Sequence, residues 1–324
     1  MTSTFRILVA IAALITLPGG RAGSAAPEPE PPSCPQPASS ELWIPGGKVR
    51  IGTDRGYADE GPAHEVTLKG FWIDQHEVTN RQFATFVAAT GYITRAERDG
   101  GSIVFRPPGP KEVPVHPRDW WRHVKGADWK HPEGPGSDLR RRGQHPVVHV
   151  AYEDALAYAD WAGRALPSEE QFEHASRGDM AESLDQPPAD TANTWQGRFP
   201  VKNDRKDGHA GLAPVGCFKT NSHGLSDMIG NAWEWTRSWY LPSHAPLVMG
   251  EGAPGNPSFD PAQPDARVRV IKGGSFLCAP NYCARYRPEA RHAQDETAGA
   301  SHLGFRTIRK VDHNKLAASI SGDS

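Results

Sequence analysis

Glycine (33) and proline (30) make up about a fifth of the 324 residues, against a usual share of about 12%, and apolar residues fall to 37%. This excludes a fold built mainly from long helices, while 10 Trp, 11 Phe and 7 Tyr with a net charge of only -2 exclude the composition of a disordered chain. The near-neutral balance also argues against nucleic acid as a partner, because phosphate binding needs an excess of Lys and Arg on one face.

In chain order, residues 1–26 carry Arg6, an apolar stretch from Ile7 to Leu17 and then small residues, the anatomy of a secretory signal peptide. The Pro/Glu-rich segment 27–41 reads as a disordered tether, 42–310 as the folded domain and 311–324 as a flexible tail. No later run approaches ~18 apolar residues, so no stable membrane insertion is expected. The mature protein is expected to be exported, whether secreted, periplasmic or in an endoplasmic reticulum lumen. Cys34, Cys217, Cys278 and Cys283 would then supply one or two disulfides.

Within the domain, Leu42 to Ile51 and Glu65 to Lys69 read as short strands with a turn between. Thr79 offers an N-cap, Phe83, Phe86 and Val87 form a helical stripe, and Gly91 closes the helix. A second helix is predicted from Tyr152 to Ala162, with Leu156 and Ala159 on its apolar face. Ser168 and Gln171 form a capping-box pattern that opens a third, ending near Gly178. From Pro187 to Arg306 the pattern is turns, isolated aromatic residues and short extended pieces. His145 and His149 flank Pro146-Val147-Val148, which reads as a strand, so the pair is taken as structural.

Two clusters carry possible chemistry. Cys278 and Cys283 lie five apart across a Pro-Asn turn, directly after Gly273-Gly274-Ser275 and before Arg285 and Arg287. Without a second Cys/His pair at finger spacing a structural zinc site is disfavoured, and three readings stay open: a disulfide, a redox-active pair, or a site for a soft, low-coordinate ion such as Cu(I). The arginines would favour thiolates. Asn193 and Asp207 flank one loop, while Asp227 and Glu234 bracket Gly230-Asn231-Ala232-Trp233, offering oxygen atoms of the kind calcium accepts. Taken singly, each also suits an ordinary Asx-turn.

The blocks Trp43-Ile44-Pro45-Gly46-Gly47, His76-Glu77-Val78-Thr79-Asn80, His145-Pro146-Val147-Val148-His149-Val150, Trp161-Ala162-Gly163-Arg164-Ala165-Leu166-Pro167-Ser168-Glu169, Gly230-Asn231-Ala232-Trp233-Glu234-Trp235, Lys272-Gly273-Gly274-Ser275 and Ser301-His302-Leu303-Gly304-Phe305-Arg306 together resemble the formylglycine-generating enzyme (sulfatase-modifying factor) family. The resemblance spans about Leu42 to Arg306. Its discriminating block is Cys278 to Cys283, since most other blocks are shared with non-catalytic members and iron-dependent sulfoxide synthases of the wider superfamily.

The resemblance implies an irregular α+β fold, a C-type-lectin-like variant with little regular secondary structure. It implies an oxidase that converts a cysteine in a sulfatase Cys-x-Pro/Ala-x-Arg motif to Cα-formylglycine, acting on unfolded sulfatase polypeptide with O2 and a thiol reductant. By the same resemblance Cys278 and Cys283 bind Cu(I) and Ser275 lines the active site. A first structural Ca2+ would use Asn193, Thr194, Asp207 and His209, and a second Asp227, Gly230, Ala232 and Glu234. Trp233 and Tyr282 are pocket-wall candidates, with a core role the favoured reading for both. Cys34 and Cys217 fall outside the family pattern and either pair or stay free. The alternative from a different class is a non-catalytic binding module on the same scaffold, with Cys278 and Cys283 as a structural disulfide.

Overall fold

The computed structural model describes Cys34 and residues 41–109, 116–178, 185–245 and 256–310. The expected signal peptide, nearly all of the tether and the tail lie outside the described residues. The strands are β1 (Glu41–Ile44), β2 (Gly47–Ile51), β3 (His64–Leu68), β4 (Phe71–Asp74), β5 (Gly101–Phe105), β6 (Trp121–Lys125), β7 (Arg164–Ala165), β8 (Trp233–Trp239), β9 (Val268–Lys272), β10 (Arg291–Asp295), β11 (Leu303–Gly304) and β12 (Ile308–Arg309). The helices are α1 (Asn80–Thr90), α2 (Arg95–Asp99), α3 (Tyr152–Trp161) and α4 (Glu169–Arg177). Two four-stranded sheets, in the orders β1-β4-β12-β7 and β10-β9-β8-β11, are accompanied by two separate two-stranded sheets, β2-β3 and β5-β6. This is an α+β architecture whose regular elements are short.

Local chemistry explains the helices. Thr79 accepts a hydrogen bond from the Gln82 amide while the Gln82 side chain accepts from the Thr79 amide at 2.8 Å, and Gly91 ends α1 in the left-handed region with its N–H on Val87. The stripe it presents, Phe83 and Phe86, enters a core with Trp233, Trp235 and Phe305. In α3 the buried face is Tyr152, Ala155, Tyr158 and Ala159, so Ala159 lies where expected but Leu156 is 36% exposed, one position off the stripe. Ser168 and Gln171 cap α4, whose buried face carries two carboxylates, Glu169 and Glu173.

Two expectations need correction. Residues 146–148 form no strand: Pro146 makes one isolated bridge to Thr79, and His149 turns back with a left-handed backbone. Its buried ring donates from Nε2 to the Pro132 carbonyl at 2.8 Å, which fits the structural role assigned to it. The stretch from Pro187 to Arg306 is more regular than its pattern suggests, because β8, β9 and β10 form a sheet there, with antiparallel pairing from Arg291 opposite Lys272 to Asp295 opposite Val268. Cys34 is joined to Cys217 in a disulfide.

Candidate active site

Strand β9 ends at Lys272, and the chain then turns through Gly273 and Gly274, both with positive φ. A side chain at Gly274 would press to 2.6 Å from the Arg285 carbonyl and 3.4 Å from Cys278 Sγ, so glycine lets the two ends of the thiol loop close on each other. The loop is tied internally: Cys278 N–H donates to the Ser275 carbonyl at 2.9 Å, and Ala279 and Cys283 exchange backbone hydrogen bonds of 3.1 and 3.0 Å. Both thiols are free, Cys278 buried and Cys283 partly so, with their sulfurs 3.4 Å apart. That is well beyond the ~2.05 Å of a disulfide.

The pair is electrostatically unequal. Burial, reinforced by the neighbouring thiol, pushes Cys278 well above the ordinary thiol range. Cys283 is held below it, first by the hydrogen bond from Cys278 and then by the Arg285 and Arg287 guanidinium groups. The arginines therefore favour one thiolate of the two. They are themselves anchored from the 3-10 turn Ala58–Glu60: Arg285 makes two 3.0 Å bonds to Asp59, and Arg287 pairs with the fully buried Glu60.

Both sulfurs line a cavity of about 530 Å³ with Ser275. Ser275 N–H donates to Cys278 Sγ at 3.4 Å and its Oγ accepts from Leu277 N–H at 3.3 Å. Tyr57, Trp121 and Tyr282 supply aromatic walls, and Trp121 Nε1 donates to the Tyr282 hydroxyl at 3.2 Å. The core reading of Tyr282 is corrected: it is 39% exposed and stacks on Phe199 at 4.2 Å. Trp233 does both, buried in the core cluster and touching the cavity. No local sequence signal marks Tyr57, Trp121 or His292, and His302 lies in a block that the resemblance shares without assigning it a role; all four reach the cavity from distant segments. Burial lowers the His302 imidazole to about 3, so the ring stays neutral.

The oxygen-bearing residues form two groups. None of them lines the thiol cavity, although their loops are hydrogen-bonded to the thiol loop, Trp195 N–H donating to the Cys278 carbonyl at 3.0 Å and Phe276 N–H to the Asn231 carbonyl at 2.9 Å. In the first, Asp207 Oδ1 accepts from His209 N–H at 3.0 Å, while its buried Oδ2 has no protein partner. Asn193 bridges to Gly230, its carbonyl accepting from Asn231 N–H at 2.9 Å, and a side chain at Gly230 would press to 2.3 Å from that carbonyl oxygen. The Thr194 carbonyl accepts from Gln196 at 3.2 Å. A buried carboxylate oxygen without a hydrogen-bond partner suits a hard cation.

In the second group Asp227 takes the Gly216 amide at 2.7 Å on Oδ2 and leaves Oδ1 buried without a partner. Glu234 is differently placed: both its oxygens receive Arg306, at 2.7 to 3.0 Å. Glu77, which no spacing in the sequence ties to this group, completes the ring; its Oε1 accepts from Asn231 Nδ2 at 3.0 Å, and its Oε2 makes no hydrogen bond but lies 4.0 Å from Arg306 Nη2. Three buried carboxyl groups surround one guanidinium, and burial raises all three, with mutual repulsion adding to it at Glu77 and Glu234; an added cation at Asp227 would relieve that repulsion. Glu234 would have to share such an ion with Arg306. Among the described residues no three His, Cys, Asp or Glu side chains converge as a side-chain metal cluster, and no helix is long and apolar enough to cross a membrane.

An irregular α+β scaffold that presents two unpaired thiols on the wall of a cavity defines a class in which chemistry resides in a loop and the sheets serve as its frame. The chain belongs to the sulfatase-modifying factor family, whose model, described as a Sulfatase-modifying factor enzyme 1-like domain, matches residues 27–311. It is 44% identical to a formylglycine-generating enzyme of Mycobacterium tuberculosis, over 82% of this chain and 96% of that protein. A Mus musculus formylglycine-generating enzyme is 42% identical over 83% of this chain and 74% of its own length, and the inactive Cα-formylglycine-generating enzyme 2 of the same organism is 37% identical over 85% and 87%. PvdO from Pseudomonas aeruginosa shares the fold, with a TM-score of 0.59 at 22% identity, over 88% of this chain and all of that one.

Proposed function

We propose that this protein oxidises a cysteine in a sulfatase Cys-x-Pro/Ala-x-Arg motif to Cα-formylglycine, with Cu(I) held by Cys278 and Cys283. The observation that carries the reading is two free sulfurs 3.4 Å apart on a cavity wall. Two soft donors suit a low-coordinate soft ion. Bound there, copper would supply affinity for the substrate thiolate and redox chemistry with O2. The chain's own residues do the rest. Cys283, already biased toward thiolate, is the ligand that ionises first, whereas Cys278 must release a proton against burial. Ser275 steadies Cys278 through its N–H, and the aromatic side chains shape the space beside the sulfurs. In the balanced reaction the peptide thiol, one O2 and two thiols of the reductant yield the aldehyde, hydrogen sulfide, water and a disulfide.

In this reading calcium at Asn193, Thr194, Asp207 and His209, and at Asp227, Gly230 and Ala232 with Glu234 shared, is structural, and the chain meets unfolded sulfatases after export. The test uses copper-loaded protein, O2, a thiol and an unfolded peptide containing Cys-Thr-Pro-Ser-Arg. The peptide should lose hydrogen sulfide, gain one oxygen and react with a hydrazide. A Cys283→Ser variant should fold, fail to bind Cu(I) and give no aldehyde. Failure of folded, copper-loaded wild type on several such peptides overturns the oxidase and leaves the binding module, in which the sulfurs must close to a disulfide.

A further inference from the structure

Strand β10 is an edge strand, and it alternates: Arg291 and Ala293 are buried, while His292 and Gln294 face outward and line the cavity that holds the thiols. His292 Nδ1 lies 2.8 Å from the Ala293 carbonyl. A carbonyl only accepts, so the proton sits on Nδ1 and the lone pair on Nε2, which has no partner among the described residues. Gln294 repeats the arrangement. Its Nε2 donates to the Ala298 carbonyl at 3.2 Å, which fixes the amide and leaves Oε1 as the uncommitted acceptor.

The rest of the cavity is poor in side-chain acceptors, for no Asp or Glu lines it. The His292 ring stands edge-on to Trp233 at 5.9 Å, which sets its plane. His292 is exposed on the cavity side, and a neutral imidazole whose Nδ1 is committed to a carbonyl keeps Nε2 as its acceptor. Residues i and i+2 of a strand lie about 6.6–7 Å apart, the repeat of alternate N–H groups in an extended peptide.

We propose that His292 and Gln294 form an acceptor subsite for the polypeptide substrate, receiving alternate backbone N–H groups of an extended segment beside the reacting cysteine. The subsite rests on the oxidase reading for the identity of its ligand. Its test is kept separate by measuring binding without turnover. A labelled substrate peptide with Cys replaced by Ser is titrated into copper-free wild type, His292→Phe and Gln294→Met, and each peptide N–H is replaced in turn by an ester oxygen. Each variant should bind about three- to tenfold more weakly, the size of one hydrogen bond. One ester should weaken wild type equally yet leave the matching variant unchanged, and KM should rise with kcat retained. Unaltered melting and Cu(I) binding in the variants show that the loss is local. Wild type that binds no peptide, variants within twofold of wild type, or ester losses identical in all three proteins overturn the subsite. Peptide binding with the expected ester pattern but no aldehyde from copper-loaded protein overturns the oxidase and leaves the subsite standing.

Discussion

Replacing Lys272 by Met tests whether the frame beneath the thiol loop is held by charge. Lys272 is fully buried at the end of β9, one residue before Gly273-Gly274, and donates to Glu173 at 2.9 Å and to the Glu289 carbonyl at 3.1 Å. Removing one partner of a buried pair typically costs 3–5 kcal/mol, because the other charge is left uncompensated. Glu173 keeps the Gly52 amide at 2.7 Å and Arg177 at 3.0 Å, so the lower end, about 3 kcal/mol, is expected. Adding Glu173→Gln neutralises the stranded carboxylate while an amide oxygen still accepts from Gly52. The double variant should therefore recover about 2 kcal/mol over Lys272→Met. Urea unfolding at constant m-value reads both numbers. A loss below about 1 kcal/mol for Lys272→Met, or a double variant no more stable than it, would refute the reasoning.

Asp227 titrates in the opposite sense to a salt-bridged acid: burial raises its carboxyl from 3.8 to about 6, so the folded state holds more protons than the unfolded one between those values. Stability should fall as pH rises through that window, by about 3 kcal/mol in calcium-free protein. Asp227→Asn should be the more stable protein at pH 8 in chelator, the gain should vanish near pH 4, and added Ca2+ should raise the melting temperature of wild type more; identical melting in chelator and Ca2+ would count against the site. The Cys34–Cys217 bridge has a sequence separation of 183, for which chain entropy gives about 5 kcal/mol as an upper figure. The Cys34→Ser/Cys217→Ser double variant should unfold at lower denaturant, and wild type denatured without reductant should alkylate at two thiols only; four reactive thiols would contradict the pairing.

The parts of the fold legible in the sequence are those whose determinants are local. Thr79 with Gln82, Ser168 with Gln171, and Gly91 announce helix ends because the capping partners lie three or four residues apart. Thr94 and Glu97 make the same box at the start of α2, yet five residues are too few to show the hydrophobic period that would mark a helix. The sheet of β8, β9 and β10 is illegible for a different reason. Its strands are buried on a face that also carries Glu234, Lys272 and Arg291, so polar residues interrupt the alternation that would mark them. Those charges are tolerated only because partners arrive from afar: Arg306 for Glu234, Glu173 for Lys272 and Glu169 for Arg291.

The same division governs the site. Its thiols, its glycines and Ser275 sit in one contiguous block, so, although the residues alone leave its chemistry open among a disulfide, a redox pair and a soft-metal site, the loop can be located directly. The cavity around them cannot, because Tyr57, Trp121, His292 and His302 come from four separate segments and share no spacing. The anchoring of Arg285 and Arg287 by Asp59 and Glu60 crosses more than 220 residues of chain. A reactive loop without regular hydrogen bonding is thus fixed from outside, by an ion-paired turn on one flank and a buried lysine at its start. Substitutions in Ala58–Glu60 should therefore disturb the thiol pair while leaving the aromatic core intact, seen as a changed alkylation rate of Cys283 with the near-ultraviolet circular dichroism unaltered.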